Sequence, residues 1–178
     1  PLNTGTVQIA LFGAGHVARA LIPVLASLPC QIHWIDSREG EFPANIPEGV
    51  EKIVSEYPVD EIDSLPANSY FIVMTHNHQL DQELAEAILK RNDFEYFGLI
   101  GSKTKRNKFS HRLQAKGFTE SQITRMICPI GIGEIKGKLP AEIAISVAGE
   151  IIAHYNAAFG SDQQSTPVDA SIIERLAI

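Results

Sequence analysis

The chain has 178 residues, room for one domain with a full hydrophobic core and a small appendage. Hydrophobic residues make up 44% and charged residues 20%, an ordinary globular composition. The net charge of −6 argues against general nucleic-acid binding and against docking on an anionic membrane, so any anion site must be a local concentration of positive charge. Two cysteines, Cys30 and Cys128, are too few for a disulfide framework, and a reduced, cytoplasmic setting is the expectation. No apolar run is long enough to cross a bilayer, and no signal-peptide pattern opens the chain. The first residue is Pro1, not Met, which suggests a fragment or processed piece with an upstream domain missing.

VQIALF (7–12) reads as a buried strand that stops at Gly13. Residues 15–28 read as a helix, with Pro23 expected to kink it or loosen a turn. QIHWID (31–36) is a second strand ending in an acid, and 37–49 is loop. A short strand at Glu51–Val54 precedes a helical turn at 58–66, and YFIVMT (70–75) is the fourth strand. The helix that follows carries Leu80, Leu84, Ala87 and Ile88 on one face, with acids in its first turns to suit the macrodipole. EYFGLIG (95–101) is the fifth strand, and 102–117 is a helix closed by Gly117. Thr119 and Gln122 have capping-box spacing for a further short helix. ICPIGI (127–132) is extended, and Pro140 opens a long apolar helix, 140–158. Its small residues suit close packing on the sheet or on a second subunit, and they suggest a homodimer. Strands alternating with helices predict an α/β, Rossmann-like, doubly wound, mostly parallel sheet with helices on both faces. Residues 1–158 make up that domain, and 159–178 read as a polar linker with a C-terminal docking helix.

Gly13-Ala14-Gly15-His16-Val17-Ala18 is G-x-G-x-x-A between a strand and a helix, and Asp36 ends the next strand about 20 residues on. Gly13 would permit the turn, and Gly15 would let backbone approach a pyrophosphate. Ala18 would let helix and strand pack closely, and Asp36 would accept bonds from a ribose hydroxyl. The helix N-terminus supplies N–H groups for phosphate. Arg38 nearby leaves a 2′-phosphate open as an alternative. In an open α/β sheet, ligands bind beyond the carboxyl ends of the strands, where strand order reverses. Four unusual segments fall at that edge: GAGH, THNHQLD (75–81), GSKTKR (101–106) and CPIGI. Lys103, Lys105 and Arg106 in a first helical turn oppose the dipole, an arrangement that an anionic ligand would offset. In THNHQLD, Asn77 can cap the following helix and Asp81 complements its positive end, which leaves His76 and His78 without a structural task. Cys128 is a lone thiol beside Pro129, and a structural zinc site is not expected there.

Together LFGAGHVARAL, the acid in WIDSR, MTHNHQLD, YFGLIGSKTKR, MICPIGI and PAEIAIS cover residues 7–158 in order. In this the chain resembles the xanthine dehydrogenase accessory proteins, the XdhC/CoxI maturation factors of molybdenum hydroxylases. The resemblance implies a Rossmann domain that holds the molybdenum cofactor (molybdopterin) and hands its sulfurated form to xanthine dehydrogenase, with a cysteine desulfurase as a further partner. On the reading of a non-enzymatic cofactor carrier, Gly13, Gly15, His16 and Asp36 would hold the nucleotide or phosphate part. Ser102, Lys103 and Arg106 would neutralise phosphate. His76, His78 and Asp81 would line the pterin or metal end, with Thr75, Gly101 and Cys128 completing the set. The chain departs from the family where many members carry an additional N-terminal region, and where Leu139 occupies a place that is often polar.

Two other classes fit some of the same letters. An NAD(P)-dependent oxidoreductase or NAD(P)-binding sensor accounts for the glycine motif and Asp36, but it leaves no substantial substrate domain and no Tyr-x-x-x-Lys pair. A metal-dependent hydrolase would use His76, His78 and Asp81, since histidines two apart on an extended segment can share a transition metal.

Overall fold

A computed structural model describes residues 6–160 of the chain. Six parallel strands form one sheet: β1 (Val7–Phe12), β2 (Cys30–Asp36), β3 (Val50–Val54), β4 (Tyr70–Val73), β5 (Tyr96–Leu99) and β6 (Met126–Ile127). Their spatial order is β3-β2-β1-β4-β5-β6. The order reverses between β1 and β4, so a crevice opens at the carboxyl ends of those two strands. Right-handed crossovers put α1 (His16–Ala26) on one face and α2 (His78–Arg91) and α3 (Lys103–Ala115) on the other. The long α5 (Pro140–Gly160) returns to pack on α1, and the one-turn α4 (Glu120–Ile123) leads into β6. This is the doubly wound Rossmann-like fold that the alternating pattern predicts.

Alternation along β1 explains the two-sided core. Val7, Ile9 and Leu11 belong to the apolar cluster under α1 and α5, while Ala10 and Phe12 belong to the cluster under α2 and α3. Both faces are covered, so the central strands are apolar throughout, and Tyr70–Val73 is buried at every position. Glycine has its own task at Gly98 in β5, where a Cβ would collide with the Ile130 side chain and the Tyr96 hydroxyl.

The local chemistry of the ends follows the sequence closely. The Asn77 carboxamide oxygen accepts the N–H groups of Gln79 and Leu80 and starts α2. The Ser102 hydroxyl accepts Lys105 N–H and starts α3, and Thr119 with Gln122 forms a complete capping box. Gly117 at φ +92° closes α3. Some expectations differ from the structure. α1 ends at Ala26, two residues short of the expected bound, and contains Pro23 with its ring exposed. Residues 58–64 form a 3-10 turn rather than an α-helical one, and only two residues of 127–132 and its flank pair as strand. α5 continues to Gly160, two residues past the expected end of the helix. The linker beyond that point and the docking helix lie outside the described residues. No helix among those described is long and apolar enough to cross a membrane.

Candidate functional site

The glycine loop is held from below by β2. Gly13 N–H donates to the Ile35 carbonyl (2.9 Å), and the indole N–H of Trp34 donates to the Gly13 carbonyl (2.8 Å). Gly13 adopts φ +116°, and a Cβ there would lie 2.5 Å from the Met74 carbonyl oxygen at the end of β4. The residue is therefore fixed by backbone handedness and by the close approach of the two central strands. Gly15 differs. It is the N-cap of α1, its side supplies no cap, and a Cβ would meet nothing within 4 Å. The first amides of α1, at the positive end of an 11-residue helix, thus have no side-chain cap. His16 begins that helix and is exposed, with Nδ1 3.2 Å from Arg19 Nη2.

Asp36 lies beside this loop as predicted, yet both of its oxygens are engaged. Oδ2 accepts Ala14 N–H (2.8 Å) and Arg38 Nη2 (3.0 Å), while Oδ1 accepts Arg38 N–H (2.8 Å) and Nε (3.1 Å). Burial alone would raise its carboxyl, but the hydrogen bonds from the Arg38 side chain, Arg38 N–H and Ala14 N–H outweigh it and hold the group below the usual carboxylate value. The expectation of a carboxylate open to a ribose hydroxyl is corrected: Asp36 clamps the glycine loop, and Arg38 is the group this corner presents. Arg38 in turn lies 3.7 Å from Glu41, which also pairs with Arg19. The sequence placed Arg38 nearby but carried no local sign that it folds back on Asp36 with two prongs.

THNHQLD is divided by burial. His76 and His78 are exposed, while Asp81 is completely buried. Asp81 Oδ2 receives Lys105 Nζ (2.7 Å), and Oδ1 receives the Thr75 hydroxyl (2.5 Å) and Thr75 N–H (3.2 Å). Lys105 Nζ also donates to the Ile100 carbonyl (2.8 Å). The expectation that Asp81 lines a ligand is therefore corrected: it faces the protein and ties β4, α2 and α3 together behind the edge. Thr75 shares that bond and is half-buried. Lys105 was missed as its partner, although it stands four residues before buried Phe109 and eight before buried Leu113, the spacing of an inward face. Lys103 and Arg106, off that face, are exposed as expected. Gly101 is covered by the Lys105 stem, whose Cδ would lie 2.5 Å from a Cβ there.

Cys128 follows β6 and is 2% exposed, with Sγ 4.0 Å from the Ser102 carbonyl. Burial pushes its thiol up, with Asp81 adding to the rise and Lys105 and Arg106 opposing it. Direct contact of this thiol with a ligand is thus also corrected, because protein covers it. The loop after it is pinned to α5: Gly131 N–H donates to Glu150, and Ser146 Oγ accepts Ile132 N–H (2.7 Å). Burial raises the Glu150 carboxyl against that Gly131 bond. With Asp81 withdrawn, His76, His78 and Asp81 do not form a ligand set. Among the described residues no group of three or more His, Cys, Asp or Glu side chains is placed to hold a metal ion.

What remains at the edge is consistent in kind: an uncapped helix N-terminus at Gly15, exposed His16, His76 and His78, and exposed Lys103 and Arg106 with capping Ser102. A small pocket joins Gly13, Asp36 and Thr75 beneath them. These features define a Rossmann-type domain whose strand-end crevice is edged by basic and imidazole side chains. Residues 9–151 match the family described as the XdhC Rossmann domain, and the chain belongs to that family. It is 33% identical over 157 residues to the uncharacterized protein YqeB of Escherichia coli K12, covering 86% of this chain and 28% of that one. Its fold is that of a structure described as a xanthine dehydrogenase from Bacillus halodurans, with TM-score 0.73, 24% identity, and coverage of 91% of this chain and 45% of the other. A Rossmann-fold NAD(P)-binding family protein from Shigella flexneri is more distant, with TM-score 0.48, 14% identity and 63% of each chain covered. The chain therefore spans less than half the length of the first two relatives.

Proposed function

We propose that this domain is a cofactor-holding accessory factor. It binds the molybdenum cofactor at the strand-end crevice and passes it to xanthine dehydrogenase as acceptor. The observation that carries this reading is Gly15, an N-cap without a side-chain cap, whose open side leaves the first amides of α1 free for a phosphate. Exposed Lys103 and Arg106 at the first turn of α3 are further anion partners along the same edge. His76 and His78 would hydrogen-bond the pterin end, as neutral donors or acceptors. Support also comes from membership of the XdhC Rossmann-domain family. The cofactor is cargo in this scheme, and the chain's own contribution is to bind, orient and shield it.

The test is purification from cofactor-producing cells, followed by pterin fluorescence of the released material and molybdenum analysis. The expected result is near-stoichiometric pterin and molybdenum, lost in Gly15→Ala. Absence of both, with no quenching of Trp34 fluorescence on adding cofactor, would overturn the proposal. Trp34 is a suited reporter because its indole N–H holds the Gly13 carbonyl.

An NAD(P)-binding reading rests on the same glycine loop. With Asp36 saturated, it favours a phosphate-bearing nucleotide at Arg38 over one recognised by its ribose diol. Micromolar binding of NADPH by an unloaded protein, unaffected by added molybdenum cofactor, would select it over the first.

A further inference from the structure

α3 concentrates positive charge on a chain that is otherwise strongly acidic. From Tyr96 to Thr119 there are six Lys and Arg and no Asp or Glu, while the remainder holds nine Lys and Arg against all 21 acids. Two of the six are engaged within the chain: Lys105 with Asp81, and Lys116 with Glu86 at 2.8 Å. Lys103, Arg106, Lys108 and Arg112 are exposed and have no ion-pair partner among the described residues. Lys108, Arg112 and Lys116 recur every four residues, so they form one stripe along the helix. Like charges at that spacing repel, and nothing on α3 itself relieves them.

Directly beside the stripe lies an open groove of about 1100 Å³. Lys116 and Phe118, at the end of α3, form one wall, and Leu80 and Ala87 of α2 with Pro58 and Val59 form the apolar floor. Its rim is acidic. Glu56, Asp60 and Glu83 are exposed and have no ion-pair partner among the described residues, while Glu86 holds Lys116 and Lys90 is the second cation of the lining. The two halves of a charge-complementary contact thus sit side by side on one face of one chain. A two-fold axis between them would let each half meet its opposite on a second copy, as a closed isologous contact requires.

We propose that two copies of this chain pair through this face, with α3 of each copy lying against the acid-rimmed groove of the other. The pairing goes beyond the cofactor reading and stands whether or not that reading holds. The faces engaged are those of α2 and α3, not the small-residue surface of α5.

The experiment is sedimentation velocity on the full chain, at concentrations up to about 200 µM and at about 0.05 M and 0.5 M NaCl, salts that bracket the screening range. The wild type dimerises at low salt, and its dissociation constant rises at least about tenfold at high salt. Lys108→Glu with Arg112→Glu reverses the stripe, and Asp60→Lys with Glu83→Lys reverses the rim. Each double variant is monomeric, with an unchanged circular dichroism spectrum. Mixed in equal amounts they form a one-to-one dimer, because each reversed stripe then meets a reversed rim. A wild type that stays monomeric, or assembles beyond a dimer, overturns the proposal. So does a dimer that survives either reversal, or a mixture that stays monomeric.

Discussion

Lys105→Met removes the ammonium that faces a carboxylate with no access to water. Asp81 is 0% exposed, and Lys105 supplies its closest charged donor at 2.7 Å. The Thr75 hydroxyl and N–H remain on Oδ1, but they do not neutralise the charge. Leaving one member of a buried pair uncompensated costs about 3–5 kcal/mol. For a domain of this size each kcal/mol lowers Tm by about 2–4 °C, so the variant should melt roughly 6–20 °C lower. Asp81→Asn should cost a similar amount, because it strands the ammonium against the Ile100 carbonyl alone. The double variant Asp81→Asn with Lys105→Met buries no charge and should lie within about 2 kcal/mol of wild type, a coupling of several kcal/mol between neighbours. Urea unfolding followed by Trp34 fluorescence and by far-ultraviolet circular dichroism measures all three. A loss below about 1 kcal/mol for Lys105→Met, or strict additivity in the double variant, would refute the assignment of a desolvated, mutually dependent pair.

The two glycines of the loop should behave oppositely. Gly13→Ala meets the Met74 carbonyl and a left-handed backbone, costing at least about 1–3 kcal/mol in a melt, whereas Gly15→Ala should leave Tm within about 2 °C and abolish cofactor retention. Asp36 has a folded-state carboxyl held below its ordinary value, so its contribution is complete above the unfolded value and fades as pH falls through the folded one. Asp36→Asn should therefore be less stable than wild type at neutral pH, and the gap should narrow on acidification below about pH 4, read as urea midpoints against pH. Cys128, buried and with its thiol pushed up, should resist iodoacetamide near pH 7.5 in the native protein and react on unfolding. Rapid native alkylation mapped to Cys128 by mass spectrometry would show that the loop after β6 opens.

The architecture was legible because its signals are local and redundant. VQIALF and YFIVMT are runs of apolar residues long enough for buried strands, each stopped by a polar or glycine loop, and every cap letter (Asn77, Ser102, Thr119) works within three residues of itself. The strand-end placement of the glycine, histidine and lysine segments followed from topology alone. Burial at the site was harder to read. Asp81 carries a letter that suits an exposed helix start, and what buries it is a lysine 24 positions later on another helix. Asp36 was assigned a ligand by its position, but the contest for its oxygens is decided by how the Arg38 side chain folds back. The groove along α2 belongs to no motif, because its walls come from segments after β3, on α2 and after α3.

The bond between Asp81 and Lys105 also separates what can vary from what cannot. It fixes the segment of His76 and His78 and the first turn of α3 from behind, through a fully buried carboxylate and a largely buried ammonium. The side chains at 16, 76, 78, 103 and 106 stand in front of that frame and take no part in any ion pair among the described residues. Exchanging them should therefore change the charge and hydrogen-bonding groups along the edge at little cost to folding, so that the surface chemistry of the edge and the stability of the domain are set by different positions.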